Sequence, residues 1–157
     1  MSCIFCNPDR PIVVQNELAY AIRDGFPVSP GHTLVMPRRH AATVLDLTGD
    51  ELAACFSLVR LLVVLLEDEL HPNGFNIGMN CGEAAGQTVM HAHIHVIPRF
   101  AGDVPNPRGG VRHVIPGKGS YWSIKCAWPS CGGSSQPTNA GGWASRAVSA
   151  SRVTSSR

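Results

Sequence analysis

Gln87-Thr88-Val89-Met90-His91-Ala92-His93-Ile94-His95-Val96-Ile97-Pro98-Arg99 holds three of the chain's seven histidines, at every second position. Such alternation marks a strand, in which successive side chains point to opposite faces. It predicts a strand over His91–Ile97, with His91, His93 and His95 on one face and Ala92, Ile94 and Val96 in a core. Next-but-one positions on a strand are about 6.6 Å apart, so neighbouring imidazoles can address one phosphate and the atoms around it. Imidazole suits that work near neutral pH, as a neutral nucleophile or a proton donor. The competing reading is a histidine cluster that only binds metal. Just upstream, Gly82-Glu83-Ala84-Ala85-Gly86-Gln87-Thr88 is rich in small residues. Small residues let backbone N–H groups approach an anion, so beside the histidines this loop reads as a phosphate cradle.

Working outward, Thr48-Gly49-Asp50-Glu51 fits a capping box that starts a helix. Leu52, Phe56, Val59, Val63, Leu66 and Leu70 recur at three- and four-residue spacing and predict its core-facing stripe. His71-Pro72-Asn73-Gly74 ends it, because proline disfavours helix in the residue before it. Leu18–Arg23, Thr33–Met36 and Gly74–Met79 read as further strands, and a short helical turn is expected after Pro37, from His40 to Val44. Strands grouped around one strong helix, without regular βα alternation, indicate an α+β domain with an antiparallel sheet.

Composition bounds the function. A chain of 157 residues is one ordinary domain. Only 15% of the residues are charged, which excludes a coiled coil or a long solvated helix. The apolar run Leu61–Leu66 is too short to span a membrane. The N-terminus lacks the basic and apolar regions of a secretory signal, so the expected compartment is the cytoplasm. Six cysteines there read as reduced thiols or metal ligands. Residues 1–122 carry nine basic and eleven acidic side chains, whereas 123–157 carry four basic and no acidic ones. A mildly acidic body argues against a nucleic-acid partner. The segment 123–157, with nine serines and no periodicity, reads as a low-complexity, disordered tail after a domain over 1–122.

His91-x-His93-x-His95 with its apolar spacers resembles the histidine triad (HIT) superfamily of nucleotide hydrolases and transferases. Ser29-Pro30-Gly31-His32-Thr33-Leu34-Val35-Met36-Pro37 extends the resemblance, which covers roughly residues 3 to 121. Gly86-Gln87-Thr88-Val89 and Pro98-Arg99 look like the dinucleoside polyphosphate hydrolase branch. The Cys3-x-x-Cys6 start looks more like small bacterial members, some of which resemble the phosphoramidase branch. The resemblance implies a five-stranded antiparallel sheet with one long and one short helix, commonly a homodimer. It implies a purine nucleotide substrate with a substituted α-phosphate. His93 is then the nucleophile, forming a nucleotidyl-histidine that water releases as a nucleoside monophosphate. His95 contacts the phosphate or leaving group, and His32 helps set the protonation of the triad. Gln87 and the Thr88 N–H hold phosphate oxygens, Asn80 lies near the substrate, and Asp24 binds ribose. Plainer readings also exist: His32 as a core histidine, Asp24 as a turn former, Asn80 as a strand terminator.

Cys3-x-x-Cys6 has the spacing of half a zinc site. His40 and His91 are the candidates for the other half, and the resemblance to small bacterial members implies such a structural zinc. No carboxylate cluster near the triad offers a Mg2+ site, so no obligatory catalytic metal is expected. Cys55 and Cys81 read as packing thiols. Arg108 and Arg112 suit either polyphosphate or a solvated loop, and no catalytic role is expected for His113. The competing functions are a nucleotidyl transferase or phosphorylase of the same superfamily and a non-catalytic nucleotide-binding adaptor.

Overall fold

In the computed structural model, which describes residues 3–119, Thr48 starts the long helix. Its hydroxyl accepts from the Glu51 N–H at 3.2 Å, and the Glu51 carboxylate accepts from the Thr48 N–H at 2.8 Å. Two N–H groups that a helix start would leave without partners are thereby satisfied. Helix α1 runs over Gly49–Leu70 and stops at His71, which adopts a left-handed conformation (φ 49°) ahead of Pro72. The proposed tail lies outside the described residues.

The stripe expected on α1 holds in part: Val59 and Leu66 are buried and Val63 and Leu70 pack against the core, but Leu52 and Phe56 are exposed, and Cys55, Leu58 and Leu62 are buried instead. Several diagonals of this helix are apolar enough to satisfy the three-and-four spacing. The sheet chooses among them: the buried diagonal meets the small side chains Ala19 and Ala21 together with Val35, Ile94 and Val96.

The sheet has five strands: β1 (Ile12–Gln15), β2 (Ala19–Arg23), β3 (Thr33–Pro37), β4 (Gly74–Gly78) and β5 (Ile94–Arg99). Their order is β1-β2-β3-β5-β4, with every neighbouring pair antiparallel. Strand β1 was not legible in the sequence. It is four residues long, lies at an edge and carries a register irregularity between Ile12 and Val14. The short helix expected over His40–Val44 is instead a single 3-10 turn at Val44–Asp46. Thr43 caps it, its side chain accepting from Leu45 N–H while Asp46 accepts from Thr43 N–H.

The strand expected from His91 begins only at Ile94. The Ala92 N–H donates to the Ala41 carbonyl at 2.7 Å, beyond the end of β3, and the His91 ring is bonded to the Pro37 carbonyl. The His91 ring and the Ala92 N–H thus bond to the end of β3 and the segment just after it, and residues 91–93 stand outside the strand ladder. Of the three histidines only His95 lies within β5, opposite Leu34 on β3 and Gly78 on β4. That register puts His95 on the sheet face away from α1, the face of Tyr20, Ile22, Leu34 and Met36.

Gly31 in the Ser29–Pro37 segment has φ 81°, and a Cβ there would lie 2.5 Å from Leu70 Cδ1 and 3.0 Å from Leu66 Cδ2. Gly31→Ala is expected to destabilise the protein by about 1–2 kcal/mol from the left-handed conformation alone, with the clash adding to it. A urea unfolding midpoint equal to wild type would contradict this.

Candidate functional site

Two histidine-centred groups meet at the start of β5. The first forms around the N-terminal turn, closed by the Cys6 N–H donating to the Cys3 carbonyl at 3.1 Å. The His91 Nε2–H donates to the Pro37 carbonyl at 2.9 Å, which turns Nδ1 toward the thiols, 3.4 Å from Cys3 Sγ and 3.6 Å from Cys6 Sγ. His40 Nδ1 lies 3.4 Å from Cys6 Sγ. The neighbouring Arg39 anchors this corner with two 2.7 Å bonds to the Glu51 carboxylate and one of 3.0 Å to the Asp46 carbonyl. Those guanidinium bonds, with the Thr48 N–H, hold the Glu51 carboxyl at about 2. The donor atoms of Cys3, Cys6, His40 and His91 all lie within 4.8 Å of one another. Two thiols and two imidazoles at that separation suit a tetrahedral zinc ion, and the His91 bond to a backbone carbonyl is the outer contact that fixes a ligating ring. Sequence reasoning named these four residues, and the fold brings them together.

The second group is a chain of side chains. Asp24 Oδ2 lies 3.2 Å from His32 Nδ1, and His32 Nε2 lies 3.0 Å from His95 Nδ1. The Asp24 Oδ1 also accepts from the Phe26 N–H at 2.9 Å, closing the turn after β2. Burial pushes His95 down to about 4, with His93 and His32 adding to the shift and Asp24 opposing it. Burial likewise lowers His32 against the pull of Asp24. Both rings are therefore neutral at pH 7. With Asp24 accepting from His32 Nδ1–H, His32 Nε2 accepts from His95 Nδ1–H, and His95 Nε2 keeps a lone pair.

His93 joins the two groups. It is only 7% exposed, and its Nδ1–H donates to the His91 carbonyl at 2.7 Å. That bond sets the tautomer and leaves Nε2 as a lone-pair nitrogen. Its ring centroid is 5.0 Å from that of His95 and 5.3 Å from that of Phe5, both edge-on.

Beside His95 and His32 opens a cavity of about 700 Å³, walled by Val28, Asn76, Asn80 and Val111 among others. Asn80 was expected there; Val28, Asn76 and Val111 were not. Sequence spacing could not place residues 28, 76 and 111 around one hollow, because three separate loops and strands supply them. His113 also lines the cavity, with its Nε2–H donating to the Arg108 carbonyl at 2.8 Å. Gln87 is buried and its side chain is engaged by its own chain. It donates to the Ala42 carbonyl at 2.6 Å and the Val89 carbonyl at 3.1 Å, and accepts from the Gly82 N–H at 2.8 Å. In this arrangement Gln87 braces the 82–89 loop, while Thr88 is exposed on it. Arg112 bonds the Lys118 and Gly119 carbonyls. Cys55 is buried in the core, its thiol pushed up to about 11 by desolvation.

Residues 7–102 match the HIT domain. This chain belongs to the HIT family. A zinc-bound histidine triad family protein from Mycobacterium smegmatis superposes with a TM-score of 0.60 at 37% identity, over 66% of this chain and 78% of that one. AP-4-A phosphorylase of Mycobacterium tuberculosis is 36% identical over 59% of this chain and 48% of its own length. The asymmetrical bis(5'-nucleosyl)-tetraphosphatase of Schizosaccharomyces pombe is 38% identical over 59% of this chain and 50% of its own. The HIT chain thus aligns with about half the length of each of these two enzymes. Among its described residues, no helix is long and apolar enough to cross a membrane.

The lowered His95 carries a pH dependence. A folded value of about 4 against an ordinary 6.5 means that the unfolded chain takes up the proton first as pH falls. The His95 contribution to stability is complete above about pH 6.5 and is lost as pH falls toward 4. We expect urea stability to drop across that window with a slope of at most about 1.4 kcal/mol per pH unit from this group. His95→Gln should flatten that part of the curve. Identical slopes in the two proteins would remove His95 as the cause.

Proposed function

We propose that this HIT protein is a hydrolase of dinucleoside polyphosphates or nucleoside phosphoramidates, acting at the α-phosphate through a nucleotidyl-His93 intermediate. The observation that carries the reading is the 2.7 Å bond from His93 Nδ1–H to the His91 carbonyl, in a nearly dry setting beside the His95–His32–Asp24 chain. It fixes the orientation of the His93 ring and the nitrogen that donates, leaving Nε2 as the atom to attack. As the bond from His93 Nε2 to the α-phosphorus forms, the bond from phosphorus to the bridging oxygen breaks, and its electron pair leaves with the polyphosphate. With a phosphoramidate the bond that breaks is phosphorus–nitrogen, and the departing amine takes up a proton from solvent water. Water then attacks the phosphorus, His95 Nε2 accepts its proton, and the bond to His93 breaks to release the nucleoside monophosphate. Asn80 and Thr88 serve the nucleotide, and Asp24 both orients His32 and meets ribose. Fixed geometry and aligned dipoles supply most of what a phosphoryl centre needs.

Cys3, Cys6, His40 and His91 hold a structural zinc in this reading. Bound zinc would tie the N-terminal turn to the segment carrying His93, and it performs no step of the hydrolysis. The family reading also implies a cytoplasmic homodimer, for which the exposed apolar residues Leu52, Phe56 and Leu65 of α1 offer a surface.

The likeness to AP-4-A phosphorylase favours a second reading, in which inorganic phosphate replaces water as the acceptor. One experiment separates them. The protein is given diadenosine tetraphosphate and an adenosine phosphoramidate, each with and without phosphate. AMP release that needs no phosphate supports the hydrolase; phosphate-dependent ADP release supports the phosphorylase. Nucleotide binding with no release from either substrate would leave the adaptor reading and a transferase that uses another acceptor.

A further inference from the structure

We infer that Phe5 is a positioning residue for His93, coupling the cysteine turn to the orientation of the nucleophile; this rests on the nucleophile reading of His93. Phe5 stands between Cys3 and Cys6, is 5% exposed, and belongs to the core on the sheet face away from α1. Its carbonyl accepts from the Tyr20 hydroxyl, which pins the turn to β2. Its ring meets two histidines edge-on, His91 at a centroid distance of 6.0 Å and His93 at 5.3 Å. The His93 bond to the His91 carbonyl is local, two residues back, and constrains one edge of the ring. Beyond that bond, the aromatic neighbours of the His93 ring are Phe5 and His95, both edge-on. His95 is fixed in β5 and by His32, so Phe5 is the wall contributed by the N-terminal turn. Remove its ring and the imidazole of His93 gains a path to other orientations and to water. A small displacement of a reacting group can lower a rate by about 100-fold, so a partial loosening has a measurable cost.

The test uses Phe5→Leu, with Phe5→Met as a second variant. Both keep apolar volume in the core and remove the aromatic edge. Zinc-loaded, nitrogen-15-labelled proteins are compared by NMR for the slowly exchanging Nδ1–H of His93, which is assigned by its absence in His93→Ala. Zinc content, melting temperature, and kcat and KM for diadenosine tetraphosphate are measured alongside. We expect the variants to keep their zinc and to lose or broaden the His93 N–H signal. We expect kcat to fall about tenfold while KM changes less than about threefold. An unchanged N–H signal in either folded variant overturns the inference. So does loss of zinc together with the signal, because Phe5 would then act on the cluster and not on the ring. If wild type shows no turnover, or His93→Ala turns over normally, the hydrolase reading fails by itself, and the N–H signal still decides whether Phe5 orients His93.

Discussion

His93→Ala is expected to abolish AMP release from diadenosine tetraphosphate and from an adenosine phosphoramidate, by about 1000-fold or more, while nucleotide binding stays measurable. The nucleophile cannot be replaced from nearby. His95 Nδ1 is engaged with His32, and His91 has one ring nitrogen on the Pro37 carbonyl and the other facing the thiols. Neither ring can take the position of His93 without breaking its own contacts. Loss of the side chain leaves the cavity walls Asn76, Asn80 and Val111 untouched, which is why binding should survive. The control is a melting temperature close to wild type. Full turnover in the folded variant would remove the covalent mechanism altogether, and rapid quench of wild type with labelled substrate should trap nucleotide on a histidine.

The second large effect is on the N-terminal cluster. Cys3→Ser is expected to lower zinc from about one per chain toward zero, because an alcohol is a poor zinc ligand beside thiolate and imidazole. It should also lower the melting temperature by about 10 °C or more, since metal affinity for a folded site becomes folding free energy. The cluster joins three distant pieces of chain: the turn at Cys3–Cys6, the corner at His40, and His91 ahead of β5. Without metal, that corner keeps the Arg39–Glu51 pair and the His91–Pro37 bond, so partial order should remain. Turnover should fall only as far as folding and the Phe5 contact do. Equal zinc in wild type and Cys3→Ser would end the metal proposal.

Much of this molecule was legible in particular residues. The Thr48–Glu51 capping box and the stop before Pro72 define α1 because both are local chemistry, settled within a few residues. Of the Cys and His group, the Cys3–Cys6 pair was legible from its spacing, whereas His40 and His91 could be named only as candidates, and the fold puts their donor atoms within 4.8 Å of the thiols. The buried diagonal of α1 was legible only in part, since an apolar helix has several candidate stripes and only the sheet's small residues select one. Strand β1, a four-residue edge strand defined by its partner β2, was not legible. Nor were the partners of the Gln87 amide, which are backbone groups of residues 42, 82 and 89.

The histidine run shows the division most clearly. Although the strand it predicted from His91 begins only at Ile94, alternation by itself determined that Ala92, Ile94 and Val96 would be buried, as they are. That is a short-range property of side-chain direction. It could not determine that the three imidazoles would have three different surroundings. His91 faces two thiols, His93 is held by a carbonyl and an aromatic edge, and His95 ends a chain leading to Asp24. Those surroundings come from residues 3–6, 24, 32 and 37–40, which adjoin the run only after β2, β3 and β5 have paired. The chemical character of each ring is set by burial and hydrogen-bond partners, and both are products of the tertiary structure.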